Sequence, residues 1–281
     1  MGRAVAPILS ETGANGGRHK ICFGWYGGKY SHLAWLLPLL PGSHHYCEPF
    51  SGSAAVLLNR GPSPLETYND IDGEVVNFFK VLRDDGESLA EALRLTPFSR
   101  EEFFRAVSEP DGEISAVERA RRFFVRARQV RTGLAQTASL GRWANCRNTS
   151  RGGMAGAVSR WWNSVEGLPE IAERLLRVQI ENRAASEVIQ LYDDEETLFY
   201  CDPPYPHECR QDSKAYGFEM SDEEHVRLAD VLKGIKGRAA ISGYRCHLMD
   251  ELYAGWRRVD APTKNCHSSK KPRTEALWMN Y

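Results

Sequence analysis

No Cys-x-x-Cys pair occurs among the seven cysteines of this 281-residue chain. An odd count without paired spacing excludes a disulfide framework and points to a reducing compartment, read here as the cytosol. Three cysteines do lie beside histidines: Cys246–His247, Cys266–His267, and Cys209 two after His207. Ligands paired two to four residues apart, the usual mark of structural zinc, are missing, so no metal is expected. No apolar run is long enough to span a bilayer; "LAWLLPLL" (33–40) is short and holds Pro38. The first residues lack the apolar core and cleavage pattern of a signal peptide. Ala6 stands where a myristoylation signal needs Ser or Thr. Residues 1–19 therefore read as a flexible tail. No internal repeat is found.

Excess charge is also absent overall. The 36 basic and 37 acidic residues give −1, which by itself calls for no polyanionic partner. Hydrophobic residues make up 42% and charged residues 26%, the balance of a soluble globular chain. The average hides a local asymmetry. Residues 115–163 contain ten arginines, no lysine and one acid, Glu118, so this segment carries +9 and the rest −10. A solvated helix face would mix signs. Arginine alone, interleaved with Trp143, Trp161, Trp162, Asn145, Asn148 and Asn163, suits nucleic acid. Guanidinium forks pair with phosphate or guanine, and amides with adenine. The candidate DNA contacts are Arg119, Arg122, Arg126, Arg128, Arg131, Arg142, Asn145 and Arg147.

The element pattern predicts an α/β protein. "LAWLLPLL" fits a short buried helix, 44–50 a strand, 51–60 a turn opening a helix, 65–70 a strand and 73–85 a helix. This strand–helix order suggests parallel β/α units. Residues 86–177 are mainly helical, with capping-box spacing at Ser99/Glu102 and Ser115/Glu118 and an apolar face from Val117 to Val130. The β/α rhythm returns with "VQIEN", "TLFYCD" (197–202), a helix from Ser221 to Leu232, "GRAAISGY" (237–244) and two closing strands. The organisation is one sheet domain, 20–85 and 178–281, interrupted by a helical segment, 86–177.

Chemistry concentrates where strands end. In an open parallel sheet, ligands bind beyond the carboxyl ends of the strands. There "FYCDPPY" puts Asp202, Pro203, Pro204 and Tyr205. Proline fixes φ and donates no hydrogen bond, so the loop is a stiff set of carbonyl acceptors beside a carboxylate and an exposed ring. A planar heterocycle with an exocyclic amine fits: two donors meet two acceptors, and the ring stacks for ~1–3 kcal/mol. "EPFSGS" (48–53) follows another strand, its small residues letting a ligand approach the backbone. Asp70 ends the next strand, where an acid that binds ribose hydroxyls usually sits. "GWYGGKYSHL" places Lys29 after a glycine pair.

"WYGGKY", "EPFSGSAAVLLN", "NDID" and "FYCDPPY", in this order and spacing, resemble the Dam-type (alpha-group) DNA adenine-N6 methyltransferases. The resemblance covers roughly residues 20–85 and 178–281; residues 86–177 match in position and character. It implies a Rossmann-like, S-adenosylmethionine (AdoMet)-dependent methyltransferase sheet flanked by helices, with a helical target-recognition insertion at 86–177. It further implies AdoMet contacts at Trp25, Lys29, Glu48, Phe50, Gly52, Asp70 and Asp202, and no metal. Phe50-Ser51-Gly52-Ser53-Ala54 departs from the family's frequent Phe-x-Gly-x-Gly, with Ala54 in place of the second glycine.

By this resemblance the enzyme flips an adenine out of duplex DNA. Tyr205 stacks on the base, Asp202 and the Pro203 carbonyl accept the amino hydrogens, and the nitrogen lone pair is aimed at the methyl carbon. Residues 206–217 are expected to close over the site. Cytosine-N4 methylation uses the same logic, although Asp rather than Ser at 202 favours adenine. A catalytically silent DNA-binding module is the reading from another class. A cytoplasmic enzyme of bacterial or phage origin is implied, with a cognate restriction endonuclease as a candidate partner.

Overall fold

The fold was analysed from a computed structural model, which describes residues 20–135, 138–209, 218–262 and 274–281. The expected tail at 1–19, most of the expected lid (210–217) and Cys266–His267 lie outside the described residues.

The sheet is built from strands β1 (His45–Glu48), β2 (Leu65–Asn69), β5 (Gln179–Glu181), β6 (Thr197–Cys201), β7 (Arg238–Tyr244), β8 (Arg257–Asp260) and β9 (Glu275–Met279), while β3 (Ser150–Arg151) and β4 (Met154–Ala155) form a separate hairpin. Its order is β5-β2-β1-β6-β7-β9-β8. The first five run parallel; β9 is antiparallel to both neighbours. β1, β6 and β9 are buried at every position, so their sequences read as continuous runs rather than alternations. The chain first winds outward from β1 through β2 to β5, then crosses back to place β6 on the other side of β1. Between β1 and β6 the winding reverses, and a crevice opens at the strands' carboxyl ends. This is the mixed, mostly parallel α/β sheet that the resemblance implies.

The short helix expected at 33–40 is α1 (Leu33–Leu36), continued by a 3-10 turn, Leu37–Leu39. The helical segment packs against the sheet domain. Helix α2 (Gly73–Asp84) buries Val75, Val76, Phe78, Phe79, Val81 and Leu82. Beyond it come α3 (Gly86–Arg94), α4 (Arg100–Val107), α5 (Ala116–Gln129), α6 (Gly156–Glu166) and α7 (Leu168–Leu175). Helix α5 packs on α2, with Phe78 and Phe124 stacked at 5.6 Å. Phe23 meets Phe123 edge-on at 5.1 Å, and Trp161 of α6 closes on Phe124 at 5.5 Å. One apolar cluster thus runs from β1 and β2 into the insertion. Trp161, read from the sequence as a nucleic-acid side chain, is fully buried in this core.

Three local expectations change. Residues 51–60 form successive turns instead of a helix. Gly52 has φ +48° and Ala54 φ +56°, both outside the helical region, so the chain cannot propagate one from there. Among the described residues only Ser221 makes a reciprocal capping box, with Glu224, at the start of α9 (Asp222–Gly234). Ser99 and Ser115 accept the N3 amide, but Glu102 and Glu118 turn their carboxylates to arginines. The hairpin β3–β4 and helices α8 (Ala185–Leu191) and α10 (His247–Leu252) were not anticipated.

Candidate active site

The topology brings four sequence motifs to one crevice. Glu48 ends β1, Asp202 follows β6, Asp70 follows β2, and Lys29 comes from a short 3-10 turn, Lys29–His32. Trp25, Phe50, Gly52 and Pro204 line the same pocket. The turn is held by Asp70, whose carboxylate accepts from the Gly52 and Asp72 N–H groups at 2.8 and 2.9 Å. Burial raises the Asp70 pKa to about 6, against the pull of these bonds. Gly52 is required twice over: its φ is positive, and a Cβ there would lie 2.5 Å from Trp25 Nε1. Glu48 is buried and accepts from the Tyr46 hydroxyl at 2.7 Å; burial pushes its pKa up to about 8.

Lys29 and Asp202, 173 positions apart, form an ion pair in which Lys29 is buried and Asp202 partly so. Lys29 Nζ donates to both carboxylate oxygens, at 2.6 and 2.7 Å, and to the Gly27 carbonyl at 2.8 Å. Burial opposes the ammonium, but Asp202 and Glu275 outweigh it and hold the Lys29 pKa above its ordinary value. Burial raises Asp202 to about 6, with Lys29 pulling the other way.

The Tyr205 ring is not the exposed plane expected from the sequence; it is 3% exposed. Its hydroxyl donates to Glu275 and lies 3.3 Å from Asp202 Oδ1, while its ring meets Tyr244 edge-on at 4.9 Å. Pro204 lines the crevice, but Tyr205 does not. Ile71 and Phe218, both about half exposed, do line it. Neither they nor Glu275 were found from the sequence. An apolar residue inside "NDID" was the available signal for Ile71; Glu275 lies in the closing stretch "TEALWMNY", which also fits the family pattern but carried no site role, and Phe218 joins the site only by folding.

The arginine segment divides in two. On α5, Arg119 and Arg126 bind Glu74, Arg122 binds Glu118, and Arg121 binds Glu118 and Glu102. Arg128 donates to the Arg160 carbonyl, and burial lowers its pKa to about 10. Mixed signs are therefore restored in space, because α2 and α4 supply the acids. Arg131, Arg142, Asn145, Arg147, Arg151 and Arg160 are exposed, and among the described residues none of these arginines is paired with a carboxylate. Elsewhere, ligand atoms of Glu208, Cys209 and Cys246 lie within 4.8 Å of one another, the sole group of that kind among the described residues. No helix among these residues is long and apolar enough to cross a membrane.

A doubly wound sheet with an acid-lined crevice at its switch point, where Asp-Pro-Pro-Tyr follows β6, is an α/β architecture suited to a nucleotide-like ligand. Residues 25–268 match the model of the D12 class N6 adenine-specific DNA methyltransferases, and the chain belongs to that family. It is 27% identical to the type II methyltransferase M1.LlaDCHI of Lactococcus lactis subsp. cremoris, over 92% of this chain and 94% of that protein. It is 25% identical to the type II methyltransferase M.MjaIII of Methanocaldococcus jannaschii, over 92% and 97%. A DNA adenine methylase of Vibrio cholerae is 26% identical over 78% and 77%. The family's reaction implies AdoMet as methyl donor and DNA as substrate, and its adenine specificity displaces the cytosine-N4 reading.

Proposed function

We propose that this adenine-specific DNA methyltransferase works at the crevice between β1 and β6, with Asp202, Pro203, Pro204 and Tyr205 at the reacting amine. The supporting observation is the convergence of Lys29, Asp70 and Asp202 from separate motifs on one pocket. Its lining fits AdoMet: Glu48, Asp70 and Asp202 offer acceptors for a cationic, hydroxyl-bearing ligand, and Trp25 and Phe50 offer apolar faces. When bound, AdoMet supplies an electrophilic methyl group. Trp25, Lys29, Glu48, Phe50, Gly52, Asp70 and Asp202 would hold it.

Asp202 and the Pro203 carbonyl accept the two amino hydrogens of a flipped adenine and orient its nitrogen. Catalysis is then positioning and electrostatics in a water-poor site. Presenting the Tyr205 ring requires displacing its neighbours, so base stacking belongs to the DNA-bound state. Duplex phosphates are held by the exposed set Arg131, Arg142, Asn145 and Arg147. Arg119, Arg122, Arg126 and Arg128 support the fold beneath them. Two relatives carry type II names, which supports modification of the sites of a cognate restriction endonuclease in a bacterial or phage-infected cytoplasm. The segments 20–85 with 178–281 and 86–177 would serve catalysis and target recognition respectively.

Labelled AdoMet, duplex DNA and nucleoside analysis test this. N6-methyladenine is expected from the wild type, and its loss in Asp202→Ala with DNA binding retained. Methylation persisting in Asp202→Ala removes Asp202 from the reaction. Because the carboxylate must be ionised to accept, kcat/KM should rise with pH and level off above about 6.

A further inference from the structure

A carboxylate is rarely buried without a task, because removal from water is costly unless a cation and hydrogen bonds compensate. Glu275, the first residue of β9, is 6% exposed and sits against the reacting groups. It accepts the Tyr205 hydroxyl and lies 3.4 Å from Lys29 Nζ. Lys29 in turn grips Asp202 through both oxygens and stands 5.1 Å from the centroid of the Tyr205 ring. Tyr244, opposite Glu275 in the β7–β9 register, meets that ring edge-on at 4.9 Å. One ammonium is thus divided between two carboxylates, and one phenol links the same two acids. The nearby Tyr200 hydroxyl bonds Ser242 Oγ at 2.7 Å; among the described residues, the Glu275 carboxylate meets Lys29 and Tyr205.

We propose that Glu275 is a positioning residue for methyl transfer: it holds the Tyr205 phenol and the Lys29 ammonium together, and so fixes the Asp202 carboxylate in one arrangement before the base arrives. This rests on the assignment of Asp202 and Tyr205 to the reaction. Asp202 follows a central parallel strand, whereas Glu275 opens an antiparallel strand formed late in the chain. The arrangement makes the last element of the fold a part of the active site. A residue that acts through others should change turnover more than binding.

The test is steady-state kinetics of the full chain on duplex DNA, with AdoMet affinity by calorimetry and flipping followed by 2-aminopurine fluorescence at the target position. Glu275→Gln keeps size and an acceptor but removes the charge. It is expected to bind AdoMet and DNA within about 2-fold of wild type while kcat falls at least ~10-fold. In a Tyr205→Phe background the further loss should be under about 3-fold, because the two residues act as one unit. A kcat within about 2-fold of wild type, or equal losses in both backgrounds, overturns the proposal. So does a fall in kcat that tracks weaker AdoMet or DNA binding. Should Glu275→Gln not fold, Glu275→Asp carries the same criteria. If neither folds, Glu275 is a structural ion-pair member and the proposal is wrong. Asp202→Ala is assayed alongside. An active Asp202→Ala sinks the site assignment, whereas an inactive one beside a fully active Glu275→Gln sinks only the role of Glu275.

Discussion

At the scale of single residues, Ala54 shows how a motif's departure is absorbed. It is the one described non-glycine residue at positive φ, +56°. An L-residue in that region costs about 1–2 kcal/mol. Glycine would relieve this, but it adds about 0.4–1 kcal/mol of unfolded-state entropy. It also removes a buried methyl worth about 0.8 kcal/mol, since Ala54 is fully buried. The terms nearly cancel, so Ala54→Gly should change stability by less than about 1 kcal/mol. Ala120→Gly, equally buried but inside α5, relieves no strain and should cost about 2 kcal/mol from helix propensity plus the methyl. Denaturant unfolding of both variants measures the difference; equal losses would mean that Ala54 carries no strain. AdoMet affinity should be unchanged in Ala54→Gly, because Ala54 does not line the pocket.

At the scale of elements, α5 shows why composition misleads. Nine net charges on a segment look like a polyanion surface until α2 and α4 fold against it and supply Glu74 and Glu102. The charge count was legible in the sequence; the neutralisation was not, because Glu74 and Glu102 lie 19 or more positions upstream of the arginines they meet. Helices and strands with strong periodicity or continuous apolar runs were legible for the same reason that they are stable. The short α8, α10 and the β3–β4 hairpin carry too few residues to show a period. The split among the arginines has a measurable consequence. Replacing Arg131, Arg142 and Arg147 by Ala should weaken DNA binding and flatten the slope of log K against log salt by about 0.9 for each phosphate that is no longer neutralised. Replacing Arg119 and Arg126 should leave the slope intact and lower stability by about 1 kcal/mol or less per half-exposed pair. Titrations in which the second pair controls the slope would return α5 to the interface.

At the scale of the whole molecule, the sequence carried the strand order's consequences better than its contacts. Three of the four motifs were placed at strand ends, and the sheet then gathered Glu48, Asp70 and Asp202 into one crevice. What could not be read was which side chains would be sealed in together, since Glu275 and Tyr205 meet across 70 positions. That sealing has a cost visible in global stability. Glu48 is pushed up to about 8 by burial, while Asp70 and Asp202 are raised to about 6. Each acid therefore binds more proton folded than unfolded, and its contribution to stability is lost as pH rises through its folded value. His45 acts oppositely, because burial lowers its pKa, but its effect ends near the ordinary histidine value of 6.5. Between pH 6.5 and 8, Glu48 dominates among the described residues. Unfolding free energy should fall across that window by up to about 1.4 kcal/mol per pH unit. Glu48→Gln, which keeps an acceptor for the Tyr46 hydroxyl, should flatten the slope and be the more stable protein at the alkaline end. Chemical denaturation at three pH values decides it. An unchanged slope would mean that the folded chain already carries Glu48 ionised, and the proton would then have to be sought elsewhere in the crevice.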